Sequence, residues 1–474
     1  MIFALIALPL LAAILVWYMR PGTFRAYMLP VVGVLHLSLA LVCVWRMGSL
    51  GPDAWLKLDA LGGWALLVVS SIFAVTSLYV PTYLVLHRER DYKVLCACML
   101  GFLSMASLVA ASRHPGMFWA GMEAMALTTA PLVYYNRNRK SLEATWKYLM
   151  TCSVGMALAL LGTFFVAYAA DVAGIGEPLY FDSLQQRAMS FQAQWLKTGF
   201  VFLLVGYGTM MGLAPLYAWK PDALGEAPGA AGTALGAGVT VCAFLAIARA
   251  LAIMNAGGEG EFARRLLLLF GFVSMFWALV PMIRQSDLKR LLAYSGVGQV
   301  GALAIGLGAG AIKPALYLLG AFAMTSTALF LAVENIHRAF GHKNVPEVSG
   351  AISRHPWTGW LFLIGFLASA CCPPFGPFLG AYQLATSAFN GGRVWVGGLF
   401  LASLALAFLA SGRTVFGAVL GTESQSRGEM PYRDKLGTVG PIAIALAAAL
   451  LMGVWTPPQL SNLIERAAAI VSGL

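Results

Sequence analysis

The sequence predicts an all-α integral membrane protein with about fourteen transmembrane helices. Of its 474 residues, 59% are hydrophobic and 11% are charged. Apolar runs of about 20 residues, long enough to cross a bilayer, recur along the whole chain. A soluble domain needs roughly 25% charged residues. The composition therefore excludes a soluble enzyme, and the first partner that it implies is the lipid bilayer.

The apolar runs, numbered here as spans 1 to 14, follow one another with short polar breaks. Their bounds are 2–19, 27–48, 61–86, 93–111, 115–135, 145–170, 197–218, 230–254, 264–283, 291–311, 313–333, 357–389, 394–420 and 437–455. Span 1 lacks a basic leading region and a cleavage site of small residues, so we expect a retained helix rather than a signal peptide. Spans 3 and 12 are long enough to hold a break.

The formal net charge of +11 does not indicate nucleic-acid binding, because the distribution of Lys and Arg in a membrane protein reports its orientation. About 20 of the 31 basic residues lie nearest the loops that follow odd-numbered spans. By the positive-inside rule these loops face the cytoplasm, so both termini are predicted on the outer side of a bacterial-type inner membrane. Docking of a cytoplasmic partner is the alternative interpretation. The richest of these loops contain Arg137, Arg139, Lys140 and Lys147, then Arg284, Lys289 and Arg290, then Arg427, Arg433 and Lys435.

Motifs for cofactors are missing from the sequence. The seven cysteines lie within apolar runs without the paired spacing that holds zinc or an iron–sulfur cluster. There is also no Gly-rich nucleotide loop after a strand, no nucleophile elbow and no His pair for haem. We therefore expect no cofactor and no metal in this chain, and any electrons to be carried by another chain.

Glu123 lies in span 5, which is otherwise apolar. A carboxylate at membrane depth is costly unless it is paired, protonated or hydrated, so it indicates ion or proton handling. Lys147, about a turn into span 6, is the candidate partner; without a nearby cation we expect Glu123 to be protonated. Two alternatives stay open. In the first, Glu123 is a neutral hydrogen-bonding residue. In the second, Lys147 forms a surface ion pair with Glu143, at i and i+4 on the same helix.

Spans 7 and 12 are interrupted by prolines, namely Pro215 and Pro221 in the first block and Pro373, Pro374 and Gly376 in the second. Proline removes a backbone donor and clashes with the preceding turn. Broken helices are tolerated in membranes where they are buried in protein or line a cavity. Paired interruptions indicate two inverted repeats, here spans 4–8 and 9–13. The alternative is that these prolines only kink packed helices.

This interpretation divides the chain into four parts: spans 1–3 (1–91), the first repeat (92–255), the second repeat (256–420), and span 14 with a short tail (421–474). The tail after Pro457 places apolar residues on one side of a helix and polar residues nearer the other. We expect this amphipathic helix to lie on the outer membrane face or on a neighbouring subunit.

Four ordered blocks carry a resemblance to a known family. They are the run from Ser141 to Gly155, the block Ala214-Pro-Leu-Tyr-Ala-Trp-Lys-Pro-Asp-Ala with Glu226-Ala-Pro, the run Ser286-Asp-Leu-Lys-Arg-Leu-Leu-Ala-Tyr-Ser, and Pro373-Pro-Phe-Gly. Together they resemble the antiporter-like membrane subunits of respiratory complex I and membrane-bound hydrogenases, most of all the component F type of hydrogenase 4. The resemblance covers roughly residues 60–420.

The resemblance implies fourteen helices, inverted repeats and a proton path. That path uses a glutamate in helix 5, basic residues in helices 7, 8, 10 and 11, and a lysine or glutamate in helix 12; its lysines work because neighbours set their charge state. Glu123 falls on the helix-5 position. The other positions hold uncharged residues: Met210, Val241, Gly298, Gln299, Phe322, Ser326 and Ala381. The central relay is therefore predicted to be lost.

Other polar groups in the spans could support a water wire, but we expect their hydroxyls to bond to their own or a neighbouring helix. These groups are Thr209, Thr240, Thr325, Ser326, Thr327 and Tyr207. Lys220 and Arg413 are expected at the cytoplasmic surface, where long basic side chains extend toward water.

The resemblance implies a membrane-arm subunit of a proton-translocating oxidoreductase complex, of complex I-like or hydrogenase type, with a degenerate proton path and no catalytic site. Its implied partners are other membrane-arm subunits and a peripheral redox arm with iron–sulfur subunits, and no nucleic acid. The alternatives are a purely structural spacer of such a complex, or a membrane subunit of a cation antiporter or inorganic-carbon uptake complex. The short tail argues against the distal subunit, which carries a lateral helix.

Overall fold

The computed structural model describes residues 1–20, 23–47, 55–85, 92–174, 179–341, 343–344, 348–421 and 432–473. Arg427, the first domain boundary at residue 91, and the C-terminal ends of spans 2 and 3 lie outside the described residues. In chain order the helices are α1 (Ile2–Tyr18), α2 (Thr23–Trp45), α3 (Ala60–Val85), α4 (Lys93–Ala111), α5 (Pro115–Val133), α6 (Arg139–Val172), α7 (Phe181–Arg187), α8 (Ala193–Met211), α9 (Trp219–Glu226), α10 (Gly229–Thr233), α11 (Val239–Ala256), α12 (Gly260–Arg284), α13 (Leu288–Gly308), α14 (Ile312–Phe340), α15 (Ala351–Arg354), α16 (Pro356–Ser369), α17 (Gly376–Asn390), α18 (Val394–Leu420), α19 (Leu436–Val454) and α20 (Pro458–Ser472).

The predicted all-α membrane class is confirmed. Within the described ranges, ten helices are long and apolar enough to cross a bilayer. Counted among them is the run from Gly229 to Ala256, in which α10 and α11 join through one π-helical turn. The α3 helix is continuous to Val85, so the described part of span 3 holds no break.

The helix α14 extends beyond its predicted end at residue 333 to Phe340. The prediction stopped there because Glu334 and Arg338 follow, and charged residues normally mark the end of a span. Both side chains are buried, and Glu334 pairs with Lys289 of α13. The helix therefore continues because its charges are compensated inside the protein.

Small residues let neighbouring helices pack closely. At the contact of α6 with α8, a β-carbon on Gly206 would lie 2.4 Å from the carbonyl oxygen of Gly155. At the contact of α12 with α13, a β-carbon on Gly301 would lie 2.6 Å from the carbonyl oxygen of Gly271. Such contacts are typical of membrane helices, which gain little from burying apolar surface and depend on close packing instead.

The first helix break separates α8 from α9. Helix α8 ends at Met211, Gly212 adopts a left-handed conformation with φ of 88°, and Pro215 lies in the turns before Trp219. A glycine in this conformation commonly ends a helix. Pro221 lies inside the first turn of α9, where a missing N–H has no helical partner to lose.

The second break separates α16 from α17. Helix α16 ends at Ser369, Pro373 and Pro374 lie in the connecting turns, and α17 begins at Gly376. The long apolar span 12 is therefore two helices in the structure, at the place that the prolines indicate.

The amphipathic C-terminal helix α20 packs on its own chain, against α3, α11 and α14. Gln185 donates a hydrogen bond to the carbonyl oxygen of Ile470 at 2.8 Å, and Asn255 donates to that of Val471 at 2.7 Å. Lys313 of α14 pairs with Glu465. The tail is thus fixed by its own chain, whereas the sequence suggested the membrane face or a neighbour.

Candidate functional site

Glu123 projects from α5 toward α6, and its side chain is half-buried. Its Oε1 accepts a hydrogen bond from Ser153 Oγ at 3.3 Å. Its Oε2 is buried and has no hydrogen-bond partner among the described residues. A carboxyl group with one oxygen unpartnered retains a position at which it can bind a proton or accept a further hydrogen bond.

The side chain of Lys147 does not pair with Glu123 in the structure. Its Nζ lies 2.8 Å from Glu143 Oε1 on the same helix and 2.9 Å from Asp222 Oδ2 on α9, and the side chain is 49% exposed. Asp222 also pairs with Arg290 of α13 at 3.2 Å. Lys147 thus belongs to a surface network of ion pairs that joins α6, α9 and α13. This agrees with the alternative in which Lys147 pairs with Glu143.

In the first repeat, the uncharged residues at the positions of the family's charged relay pack in the protein interior. Met210 lies in the last turn of α8 and Val241 in the first turn of α11, and both are buried. The hydroxyl of Thr209 donates to the carbonyl oxygen of Val205 in α8, and that of Thr240 donates to the carbonyl oxygen of Gly236 in the π-helical turn before α11. The described structure therefore satisfies these hydroxyls locally, as expected.

Three uncharged residues of the second repeat form a hydrogen-bonded chain. Ser326 Oγ of α14 donates to Gln299 Oε1 of α13 at 3.0 Å, and Gln299 Nε2 donates to Ser369 Oγ of α16 at 2.8 Å. Ser369 is the last residue of α16, immediately before the second break. This polar chain of Ser326, Gln299 and Ser369 links three helices without a charge.

Gln299 and Phe322 line two separate cavities. One of about 50 Å³ is lined by Ser295, Gly298 and Ser369 among others, and one of about 20 Å³ is lined by Thr240 and Ser326. A β-carbon on Gly298 would meet no atom within 4 Å, so a larger side chain has room there. Both volumes exceed the roughly 10–15 Å³ that one water molecule requires, and both have polar lining groups.

Ala381, on α17, is buried and lines a cavity of about 520 Å³ between α17 and α18. The side chains around it are mostly apolar, including Phe378, Leu401 and Phe408. A charged side chain at this position would face apolar surroundings, which is costly without a partner. Where the family has a lysine or glutamate in helix 12, this chain therefore presents an apolar surface.

The expectation for Lys220 was wrong. Its side chain is 1% exposed and does not extend to the surface, because α9 packs against α6 and α13 and the lysine side chain reaches back to the C-terminal end of α8. Nζ donates to the carbonyl oxygen of Met211 at 2.8 Å and to Thr240 Oγ1 at 3.0 Å. Sequence reasoning missed it because the Trp-Lys-Pro-Asp block follows the apolar run and resembles a surface turn.

Sequence reasoning also missed a buried ion pair. Lys289 Nζ lies 2.7 Å from Glu334 Oε2, with the two side chains 4% and 5% exposed. Lys289 also donates to the carbonyl oxygen of Ala227 at 3.0 Å, and the backbone N–H of Gly229 donates to Glu334 Oε2 at 2.9 Å. The pair thus holds the junction of α9 and α10 against α13 and α14.

Similar proteins share this fold. A "Hydrogenase-4 component F homolog" from Methylacidiphilum infernorum is 31% identical over 353 residues, which cover 71% of this chain and 73% of that protein. Two solved structures match with coverage of 97% or more of either chain: an archaeal membrane-bound sulfane sulfur reductase, with a TM-score of 0.87 and 22% identity, and respiratory complex I from Thermus thermophilus, with 0.83 and 20%. The family described as "NADH:quinone oxidoreductase/Mrp antiporter, TM" matches residues 112–409, and the chain belongs to this family of antiporter-like membrane subunits.

Proposed function

We propose that this chain is a membrane-arm, antiporter-like subunit of a proton-translocating oxidoreductase complex, of complex I-like or hydrogenase type. Three findings support the proposal: membership of the family, the hydrogenase-4 relative, and a fold that matches chains of two respiratory complexes. Its partners in this proposal are adjacent membrane-arm subunits and a peripheral arm with iron–sulfur subunits. The chain itself is proposed to hold no cofactor.

The second part of the proposal is that the charged relay of the family is lost in the second repeat. The observation that carries it is the uncharged chain of Ser326, Gln299 and Ser369 together with the apolar surroundings of Ala381. A charged relay needs titratable side chains whose charge responds to their neighbours. At these positions the second repeat offers hydroxyls, an amide and an alanine instead.

The architecture that we propose has fourteen crossings. The count follows when α8 with α9, α10 with α11, and α16 with α17 each form one broken or joined crossing, and α7, α15 and α20 do not cross. The two breaks then fall in crossings 7 and 12, at matching places of two inverted five-crossing repeats. The domain limits at residues 92–255 and 256–420 belong to this proposal.

Mass spectrometry of the proteins that copurify with this chain in mild detergent tests the assignment. We expect iron–sulfur subunits of a peripheral arm together with other membrane-arm subunits. Recovery of only small antiporter subunits, or of soluble partners without redox groups, would overturn the assignment and favour a cation antiporter or an inorganic-carbon uptake complex. In the recovered complex, protons moved per electron then distinguish a pumping subunit from a structural spacer.

A further inference from the structure

Lys220 is a fully buried basic side chain that hydrogen bonds to a carbonyl and a hydroxyl group. It is the second residue of α9, and its side chain runs back across the break to the C-terminal end of α8. The neighbouring Trp219 does the same, donating from Nε1 to the carbonyl oxygen of Thr209 at 2.8 Å. The last carbonyls of a helix carry partial negative charge and lack helical partners, so they favour a cation.

The space for this lysine is built into the break. A β-carbon on Gly212 would lie 2.6 Å from Lys220 Cδ, which is closer than packed atoms approach, and 3.2 Å from Nζ. Any residue other than glycine at position 212 would therefore displace the lysine side chain. Met210, which stands where the family has its helix-7 lysine, is the residue before Met211, the acceptor of the Lys220 hydrogen bond.

Within the described part of the chain, the amino group of Lys220 has no negatively charged partner. The two carboxylates of its own helix are bonded elsewhere: Asp222 to Lys147 and Arg290, and Glu226 to Lys343 at 3.4 Å. Among the described residues, no carboxylate lies within ion-pair distance of Lys220. A buried amine without a counter-charge loses the stabilisation that water gives its charged form, so neutral and charged forms become closer in free energy.

One N–H of the ammonium form is left for water. Lysine carries three donors on Nζ, and the described structure uses two of them, for Met211 and Thr240. The cavity of about 20 Å³ is lined by Thr240 and Gly296 among others. Gly296 lies beside the lysine, since a β-carbon on it would lie 3.9 Å from Lys220 Cε. The same cavity is lined by Gln299 and Ser326, at one end of the polar chain described above.

We propose that Lys220 is a proton-carrying residue of this subunit, and that it supplies from the far side of the helix break the amino group that position 210 lacks. The ammonium gives one proton from Nζ to a water molecule in the adjoining cavity. Only an N–H bond is broken. The neutral amine keeps its two donated hydrogen bonds, and its lone pair takes up the next proton. This inference rests on the proposed function.

The test compares four variants in the purified complex, reconstituted in vesicles, with assembly checked by mass spectrometry. The variants are Lys220→Met, Lys220→Leu, the reciprocal swap Lys220→Leu with Met210→Lys, and the control Lys197→Met, which removes a partly exposed lysine on α8 that pairs with Glu259. We expect Lys220→Met and Lys220→Leu to lower the protons moved per electron at least twofold, and the swap to restore them. Lys197→Met should leave the ratio unchanged.

Two results would overturn the proposal. One is an assembled Lys220→Met complex with an unchanged ratio. The other, which applies even if the single variants do not assemble, is a swap complex that assembles but moves at least twofold fewer protons per electron than the Lys197→Met control. Either result would leave Lys220 as a cap of the broken helix α8.

A second measurement does not depend on pumping and so separates this inference from the proposed function. In the complex labelled with ¹⁵N-lysine, the signal that disappears in Lys220→Met belongs to Lys220. We expect this signal to change reversibly between ammonium and amine from neutral to mildly alkaline pH. A Lys220 signal that remains ammonium throughout contradicts the proposal even if the complex pumps protons.

Discussion

The buried charged side chains of this protein differ in how their charge is compensated. Lys289 and Glu334 neutralise each other and gain backbone hydrogen bonds. Lys220 has a carbonyl and a hydroxyl but no carboxylate among the described residues. A compensated pair is costly to break, whereas an uncompensated amine is free to exchange its proton. At this scale the first arrangement is structural and the second suits transport.

Replacing Lys289 by Met should destabilise the protein strongly. The substitution leaves Glu334 buried with one hydrogen bond from Gly229 and with Arg338 Nε at 3.8 Å, but without its closest cation. Removing one member of a buried pair typically costs about 3–5 kcal/mol. The free energy of unfolding in detergent, or the midpoint of thermal inactivation, measures the loss.

The double variant Lys289→Met with Glu334→Leu is the matched control. Because it removes both charges, it should be less destabilised than Lys289→Met alone. A double variant that loses the sum of the two single effects would show that the two side chains act independently, against the pairing in the structure.

Replacing Glu123 by Gln should separate protonation from hydrogen bonding. The amide oxygen still accepts from Ser153, so we expect the free energy of unfolding to change by no more than about 0.5 kcal/mol. The amide cannot bind a proton, so the protons moved per electron should fall. Ser153→Ala serves as the control, since it removes the hydrogen bond and keeps the carboxyl. An unchanged ratio in Glu123→Gln would identify a neutral hydrogen-bonding residue.

At the scale of elements, the sequence predicted both helix breaks but not what they bring together. Proline removes a backbone donor and clashes with the preceding turn, so Pro215 and Pro373 favour a kink or a break at their positions. Proline alone does not decide between the two, since Pro81 lies inside the continuous helix α3. The burial of Lys220 depends on the direction in which α9 leaves the turns, and no pattern within α9 encodes that direction. The chain of Ser326, Gln299 and Ser369 likewise joins three distant helices, so it needed the packed structure.

The Gly212→Ala variant tests whether the first break is shaped around Lys220. Gly212 has φ of 88°, and an added β-carbon would lie 2.6 Å from Lys220 Cδ. Gly310→Ala is the control, because Gly310 has φ of 80° and open space around the added carbon. Backbone strain of about 1–2 kcal/mol is common to both, so the additional loss in Gly212→Ala measures the contact with the lysine.

We expect Gly212→Ala to lower the free energy of unfolding by more than Gly310→Ala does, and to lower the protons moved per electron as well. Equal losses of stability for the two variants would mean that the lysine side chain moves aside without cost. The close approach at Gly212 would then have no bearing on the position of Nζ.

At the scale of the whole molecule, composition predicted the membrane class and the family predicted the fold. The apolar runs placed most helices within a few residues, as for span 4 (93–111) and α4 (Lys93–Ala111). The predicted end of span 11 was wrong because Glu334 is buried and paired. A hydropathy scale assigns every charged residue to the exposed part of the chain, whether or not it has a partner. Membrane orientation is a separate question, since it depends on the bilayer and not on internal packing.

The proposed topology makes one prediction that does not depend on any internal contact. Lys140 follows crossing 5 and Arg466 follows crossing 14, so crossings 6 to 14 separate them, and both side chains are exposed in the isolated chain. An odd number of crossings places the two residues on opposite sides, and the positive-inside rule assigns Lys140 to the cytoplasm. Lys140→Cys and Arg466→Cys, each in a chain without its seven cysteines, report their sides through a membrane-impermeant maleimide. We expect Arg466→Cys to label from outside the cytoplasmic membrane and Lys140→Cys to label only after that membrane is opened. Labelling of both residues from one side would contradict the topology, because it would require one of the broken helices to form a hairpin instead of a crossing.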